Sequence, residues 1–122
     1  MSAHVLERAS FDALFEALAD SGYTVIGPTV RDRAIVYDQI GAAADLPIGW
    51  ADEQDGGHYR LRPRGDEALF GYAVGPHSWK RFQLPAELRL WQARRGEDGE
   101  LSVLTQASCE TRRYAFLGAR SC

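Results

Sequence analysis

The feature that most constrains this chain is its closing segment, Arg113-Tyr114-Ala115-Phe116-Leu117-Gly118-Ala119-Arg120-Ser121-Cys122. Tyr114 to Leu117 is a short apolar run of the kind that forms a core strand. Gly118 frees the backbone to turn, which sets Arg120 and Cys122 at the carboxyl end of that strand. In sheets flanked by helices, the loop leaving such an end is where ligands are usually met. A further helix or strand is expected after a loop of this kind. By physical pattern alone the chain reads as an α+β domain ending in a cysteine.

Its 122 residues suit one domain, long enough to bury about two thirds of the surface its unfolded chain exposes. The apolar share of 45% and charged share of 25% are ordinary for a soluble globular protein. A net charge of -3 sets up no general field for nucleic acid or an anionic membrane, so neither is expected as a partner. No apolar run approaches the ~18 residues of a membrane-spanning helix. The amino end, Met1 to Arg8, lacks the basic start and apolar stretch of a secretory signal. A cytoplasmic location is the expectation. Two cysteines, Cys109 and Cys122, make no disulfide framework and are expected as free thiols.

Ser10 to Ser21 reads as a helix. Phe11, Leu14, Phe15 and Leu18 form one buried stripe, with Ser10 as cap, Gly22 as a left-handed stop, and Asp12, Glu16 and Asp20 facing water. Tyr23 to Ile26 is a strand, broken or bent by Gly27-Pro28, and Ala34 to Ile40 is its hairpin partner across Arg31-Asp32-Arg33. Gly41 to Gly57 reads as a long link pinned by Leu46, Ile48 and Trp50. His58 to Arg62 alternates, with Tyr59 and Leu61 on one face, and pairs with Ala68 to Val74 across Pro63-Arg64-Gly65-Asp66. Gly75-Pro76 ends that hairpin. Pro76 to Phe82 fits one helical turn capped by Ser78 or an irregular aromatic corner. Glu87 to Arg94, with Leu88 and Leu90 inward, and Leu101 to Thr105 form a last hairpin around Gly96-Glu97-Asp98-Gly99. The fold class is α+β: a mixed, mainly antiparallel sheet built from hairpins, with an amino-terminal amphipathic helix packed on it.

Familiar chemical signatures are missing from the sequence. There is no phosphate-cradling glycine loop with its lysine and no dinucleotide fingerprint. No His-Glu-x-x-His, Cys-x-x-Cys or nucleophile elbow occurs. His58 and His77 lie near turns, where a solvated or backbone-bonded imidazole is the ordinary outcome. Arg60, Arg62, Arg64, Lys80 and Arg81 make either a cationic patch for an acidic or phosphate-bearing partner or a solvated face balanced by Asp66 and Glu67. Ser78 and the amides after it would suit an anion, whereas Trp79 and Phe82 suit core filling. Cys122, two residues after Arg120, is either a metal-binding or reactive thiol or a frayed terminal residue. A cubane cluster needs four thiolates, so this chain would need other residues or chains to hold one. Cys109 is assigned no role.

Three stretches together resemble one family. They are Gly27-Pro28-Thr29-Val30 with Ala34-Ile35-Val36-Tyr37; Asp45-Leu46-Pro47-Ile48-Gly49-Trp50 through His58-Tyr59-Arg60-Leu61; and Phe70-Gly71-Tyr72-Ala73-Val74-Gly75-Pro76-His77-Ser78-Trp79-Lys80-Arg81-Phe82. Tyr114 to Cys122 extends the match. These are similar to the amino-terminal domain of the iron–sulfur electron-transfer proteins of the sulfhydrogenase-beta and anaerobic sulfite reductase kind. In that family the segment matching Arg120-Ser121-Cys122 runs on into a ferredoxin-like domain with two sets of cluster-binding cysteines. The resemblance implies a single domain over residues 1–122, cut short of that ferredoxin-like domain.

It also implies a docking or scaffold role in a hydrogenase- or sulfite-reductase-type oxidoreductase, with no catalysis of its own. Clusters of the 4Fe-4S type are implied for the whole protein and none for this chain alone. Cys122 is the candidate metal and cofactor ligand, with Arg120, His77 and Lys80 as further candidates. The implied partners are the ferredoxin-like domain and an oxidoreductase subunit. Two rival expectations stand beside this one. One is an interaction module without a redox role, working through Leu46 to Trp50; the other is a small thiol enzyme using Cys122.

Overall fold

β1 (Tyr23–Arg31) carries five consecutive buried residues, from Val25 to Thr29. Neighbouring side chains on a strand point to opposite faces, so β1 is covered on both. The computed structural model describes residues 3–73, 77–84, 86–87, 91–104 and 112–120. Within them lie one α-helix and seven strands, most of them paired antiparallel, an α+β chain as the sequence implies. It divides into two compact units, residues 1–79 with 113–122, and residues 80–112.

The first unit is built on a three-stranded sheet in which β1 lies between β2 (Ala34–Gln39) and β7 (Arg113–Phe116). β1 and β2 are antiparallel, joined across Asp32 and Arg33 at φ 47° and 63°, the left-handed pair that a two-residue hairpin turn requires. β7 pairs parallel to β1, Tyr23 opposite Arg113 through Ile26 opposite Phe116. The closing apolar run is therefore a sheet strand, as expected, although it is half-buried at an edge.

α1 (Asp12–Asp20) buries Phe15, with Phe11 and Leu18 packed beside it, against Val25, Ile40 and Leu46. This is the predicted stripe. Ser10 does not cap the helix, because Arg8–Ser10 form a 3-10 turn that leads straight into it through a helical Phe11. Asp12 is exposed, as expected, and its Oδ1 also accepts the amide of Ala43 at 2.7 Å, tying α1 to the 3-10 turn Ala43–Asp45.

Three strand expectations are corrected. Gly27 and Pro28 do not break β1, which runs on to Arg31 opposite β2. β7 pairs only as far as Ile26, so at Pro28 only one side of β1 carries a neighbouring strand, which suits a residue with no N–H to donate. The link from Gly41 to Gly57 holds β3 (Trp50–Asp55), which pairs with β4 (His58–Pro63) across Gly56 and Gly57. Residues 68–73 form no strand. Tyr59 and Leu61 do share the inner face of β4, with His58, Arg60 and Arg62 outward.

In the second unit, β5 (Gln92–Arg95) and β6 (Leu101–Leu104) make an antiparallel hairpin around the predicted turn, closed by Gly96 N to Glu100 O at 2.8 Å. A 3-10 turn, Trp79–Phe82, lies at the boundary of the two units. Val74, Gly75, Pro76, Leu88, Leu90, Thr105, Cys109 and Cys122 lie outside the described residues.

Gly27 sits at a close approach. A Cβ placed there collides with Ile40 Cδ1. Gly27→Ala is expected to lower stability by about 1–3 kcal/mol, the usual range for overpacking. Ile40→Val, which deletes the clashing methyl, should recover part of that loss in the double variant, as read from urea unfolding midpoints.

Candidate docking seam at the end of β7

The polypeptide beyond β7 is fixed by contacts that converge on Gly118. Leu117 N donates to Ile26 O at 2.8 Å, extending the β1–β7 ladder by one bond. Gly118 then turns at φ 66°, a left-handed conformation open to glycine. A side chain here would also strike the ring of Phe70, with a Cβ only 2.7 Å from its Cε1. The Gly118 carbonyl accepts two phenols, Tyr72 Oη at 2.9 Å and Tyr37 Oη at 3.2 Å. Tyr37 projects from β2 and Tyr72 from the segment 70–73, so one oxygen gathers three parts of the chain.

Arg120 adds a second tie. Its guanidinium donates to Phe70 O at 2.7 Å and lies 4.8 Å from the centre of the Tyr72 ring. Tyr72 is only 3% exposed. Burial, helped by the neighbouring Tyr37, raises its hydroxyl pKa far above the ordinary phenol value, which keeps it protonated and a donor near neutral pH. Arg120, a candidate site residue two positions before Cys122, makes a clamping contact with Phe70 and Tyr72.

Segment 70–73 forms no strand because side chains take up its backbone groups. Arg64 donates to Gly71 O at 3.1 Å, and Asp52 Oδ1 accepts from Ala73 N at 2.6 Å. Arg64 is itself held by Asp66 through two bonds, at 2.8 and 2.7 Å. That fork, with the Ala68 amide, lowers the Asp66 pKa to about 2.

The remaining candidates fall elsewhere. His77 is exposed just before the 3-10 turn, and Lys80 is exposed within it and belongs to the second unit. Arg60 and Arg62 share the outer face of the β3–β4 hairpin with Glu53, Asp55 and His58, around a hollow of about 170 Å3. Arg62 meets Glu53 at 2.6 Å and Arg60 meets His58 at 3.3 Å. The arginines there are balanced by acids on β3, while Asp66 neutralises Arg64.

Leu46 is buried, as an anchored loop requires, but Trp50 is 39% exposed. With Val30, Pro47 and Ile48 it borders a shallow groove of about 400 Å3. Among the described residues no group of three or more His, Cys, Asp or Glu is placed to hold a metal. The chain's two cysteines are too few for the four thiolates of a cubane, so this chain by itself does not fit that cofactor.

Tyr37, Phe70 and Tyr72 are not among the site residues that the sequence implies. A tyrosine at an inward strand position signals a hydroxyl in need of a partner, which marks Tyr37. The acceptor, a backbone carbonyl, carries no signature.

Two outcomes follow from this geometry. Tyr37→Phe or Tyr72→Phe alone leaves Gly118 O one phenol and should cost about 1 kcal/mol each. The double variant strips both donors and should cost more than the sum of the singles in a denaturant-unfolding cycle. Because the folded Asp66 pKa lies below its ordinary value of 3.8, its contribution is present above that pH and is lost as pH falls through about 2. Arg64→Gln should flatten the fall of Tm across this acid window.

In comparisons with known proteins, no family model, no curated protein and no solved structure matches this chain.

Proposed function

We propose that this chain is a non-catalytic docking domain of an iron–sulfur electron-transfer subunit, in a cytoplasmic oxidoreductase of the hydrogenase or sulfite reductase type. The observation that carries this reading is the clamp on Gly118 and Arg120 by Tyr37, Tyr72 and Phe70. Three parts of one unit set the direction in which the backbone leaves β7. A scaffold that must present the following polypeptide at a constant angle needs such an anchor, since a loose exit would blur any distance to a redox partner. The motif resemblance supplies the identity of the partner, a cluster-bearing ferredoxin-like domain or subunit with 4Fe-4S centres. The chain's own residues would contribute position and surface, and the thiolates would come from elsewhere, with Cys122 as the one candidate ligand offered from this side.

The test is anaerobic affinity purification of the full chain from cells that make it natively. Recovery of a cluster-bearing subunit in fixed proportion, with bound iron and an iron–sulfur electron paramagnetic resonance signal, is the expected result. Recovery should fall in the Tyr37→Phe/Tyr72→Phe variant. A purified chain that brings down no iron-containing protein would refute the reading.

A second reading has one observation in its favour. Trp50 stands partly exposed at the rim of the groove bordered by Val30 and Ile48, and tryptophan is among the residues most often found as binding anchors. On that reading the chain is an interaction module without a redox role. Trp50→Ala would then abolish partner recovery while the Tyr37→Phe/Tyr72→Phe variant left it unchanged.

A further inference from the structure

The groove beside Trp50 contains a polar group that the fold leaves without a partner. Thr29 lies on β1 four residues after Val25, so the two share the strand face that meets Phe15 and Leu46. Thr29 is 8% exposed, and its hydroxyl makes no hydrogen bond to any described residue. Side-chain nitrogen and oxygen atoms fully shut off from solvent do have partners among the described residues. The Thr29 hydroxyl therefore opens to solvent, and the groove of about 400 Å3 is the hollow that Thr29 lines.

Two further groups give the groove a chemical character. Asp45 borders it, with Oδ2 accepting the amides of Gly41 at 2.7 Å and Ala42 at 3.2 Å. Those bonds hold the carboxylate in place, and Oδ1 has no partner among the described residues. Trp50 stands at the rim, its amide tied to Pro47 O at 3.1 Å. A carboxylate, an indole face and a hydroxyl oxygen together favour a cation. Among the described residues lining the groove, Asp45 is the only charged one. Arg31, two positions beyond Thr29, lies 3.6 Å from Asp38.

We propose that this groove takes a lysine side chain of a partner protein, with the ammonium at Asp45 and Thr29 and the stem along Ile48 and Trp50. Lysine suits it better than arginine, whose fork is matched by both oxygens of a carboxylate, because Oδ2 already accepts two amides. The lysine stem covers apolar surface while its head stays charged. A protein is the occupant, in place of a free amine, because the groove is shallow, whereas small-ligand sites enclose about 70–90% of their ligand. The inference rests on the second reading above and gives its partner a chemistry.

Nitrogen-15 NMR titration of the full chain tests this with a blocked Ala-Ala-Lys-Ala-Ala peptide and its norleucine and arginine counterparts. Saturable shifts of the Gly41 and Ala42 amides and the Trp50 indole are expected with the lysine peptide, which should bind about tenfold more tightly than the norleucine one. Asp45→Asn keeps an oxygen for the two amides and should weaken the lysine peptide by about tenfold. Thr29→Val should weaken it by a smaller factor, and n-butylamine should bind less tightly than the peptide. Should Asp45→Asn fail to fold, Thr29→Val and the norleucine comparison decide. Equal binding of the lysine and norleucine peptides overturns the proposal, as does a folded Asp45→Asn that binds unchanged or a preference for the arginine peptide. Butylamine binding as tightly as the peptide overturns the choice of a protein partner. No saturable shift with the lysine peptide, while Trp50→Ala still abolishes partner recovery, refutes the lysine assignment and leaves the second reading standing; recovery indifferent to Trp50→Ala refutes both.

Discussion

The first unit depends on the parallel pairing of β1 with β7. Tyr23 and Arg113, separated by 90 positions, are joined through the guanidinium and the phenol, and the ladder from there to Phe116 closes the sheet. Parallel pairing brings together residues far apart in sequence and carries the loop-closure cost that such contacts always do. Burial of β1 on both faces offsets it, since Val25 and Ile26 are 5% and 1% exposed and each buried aliphatic side chain contributes about 1.5–3 kcal/mol. Arg113 reinforces the start of the pairing, with its guanidinium 4.1 Å from the Tyr23 ring centre and a bond to Ser21 O. Without β7, β1 would be left with one neighbouring strand and Gly118 would have no fixed place.

From that ladder the rest of the seam is assembled by side chains acting on backbone. Arg64, Asp52 and Arg120 each engage a backbone group of segment 70–73. The outer side of β2 is treated in the same way by Tyr59 and Asp38. In both places a side chain bonds a backbone group that a strand could otherwise pair. Buried polar groups need partners whatever the source. Side-chain partners are limited in number, whereas a strand invites another.

Periodicity made much of this unit legible in the sequence. The stripe on α1 and the β1–β2 hairpin follow from side-chain spacing and turn chemistry, and so does the closing strand. β3 is hidden in the sequence because Asp52-Glu53-Gln54-Asp55 carries no apolar alternation, and Gly56-Gly57 is the one signal there of a hairpin turn. Residues 68–73 have strand-like composition, but strands are defined by partners, and here the partners are Arg64 and Asp52. The seam itself was half visible. Arg120 could be named from its place after a core strand, whereas the convergence of two phenols on one carbonyl depends on backbone positions that no residue pattern encodes.

The unit spanning residues 80–112 is inserted, in sequence, between the two parts of the first unit, residues 1–79 and 113–122. Its carboxyl end runs directly into β7, whose register against β1 is set within the first unit. The entropy of closing such an excursion grows only with the logarithm of its length, by about 0.6 kcal/mol per doubling. The hairpin β5–β6 can therefore be lengthened, shortened or exchanged at little thermodynamic expense to the sheet, and its shape is free to diverge while the register of Tyr23 against Arg113 is preserved.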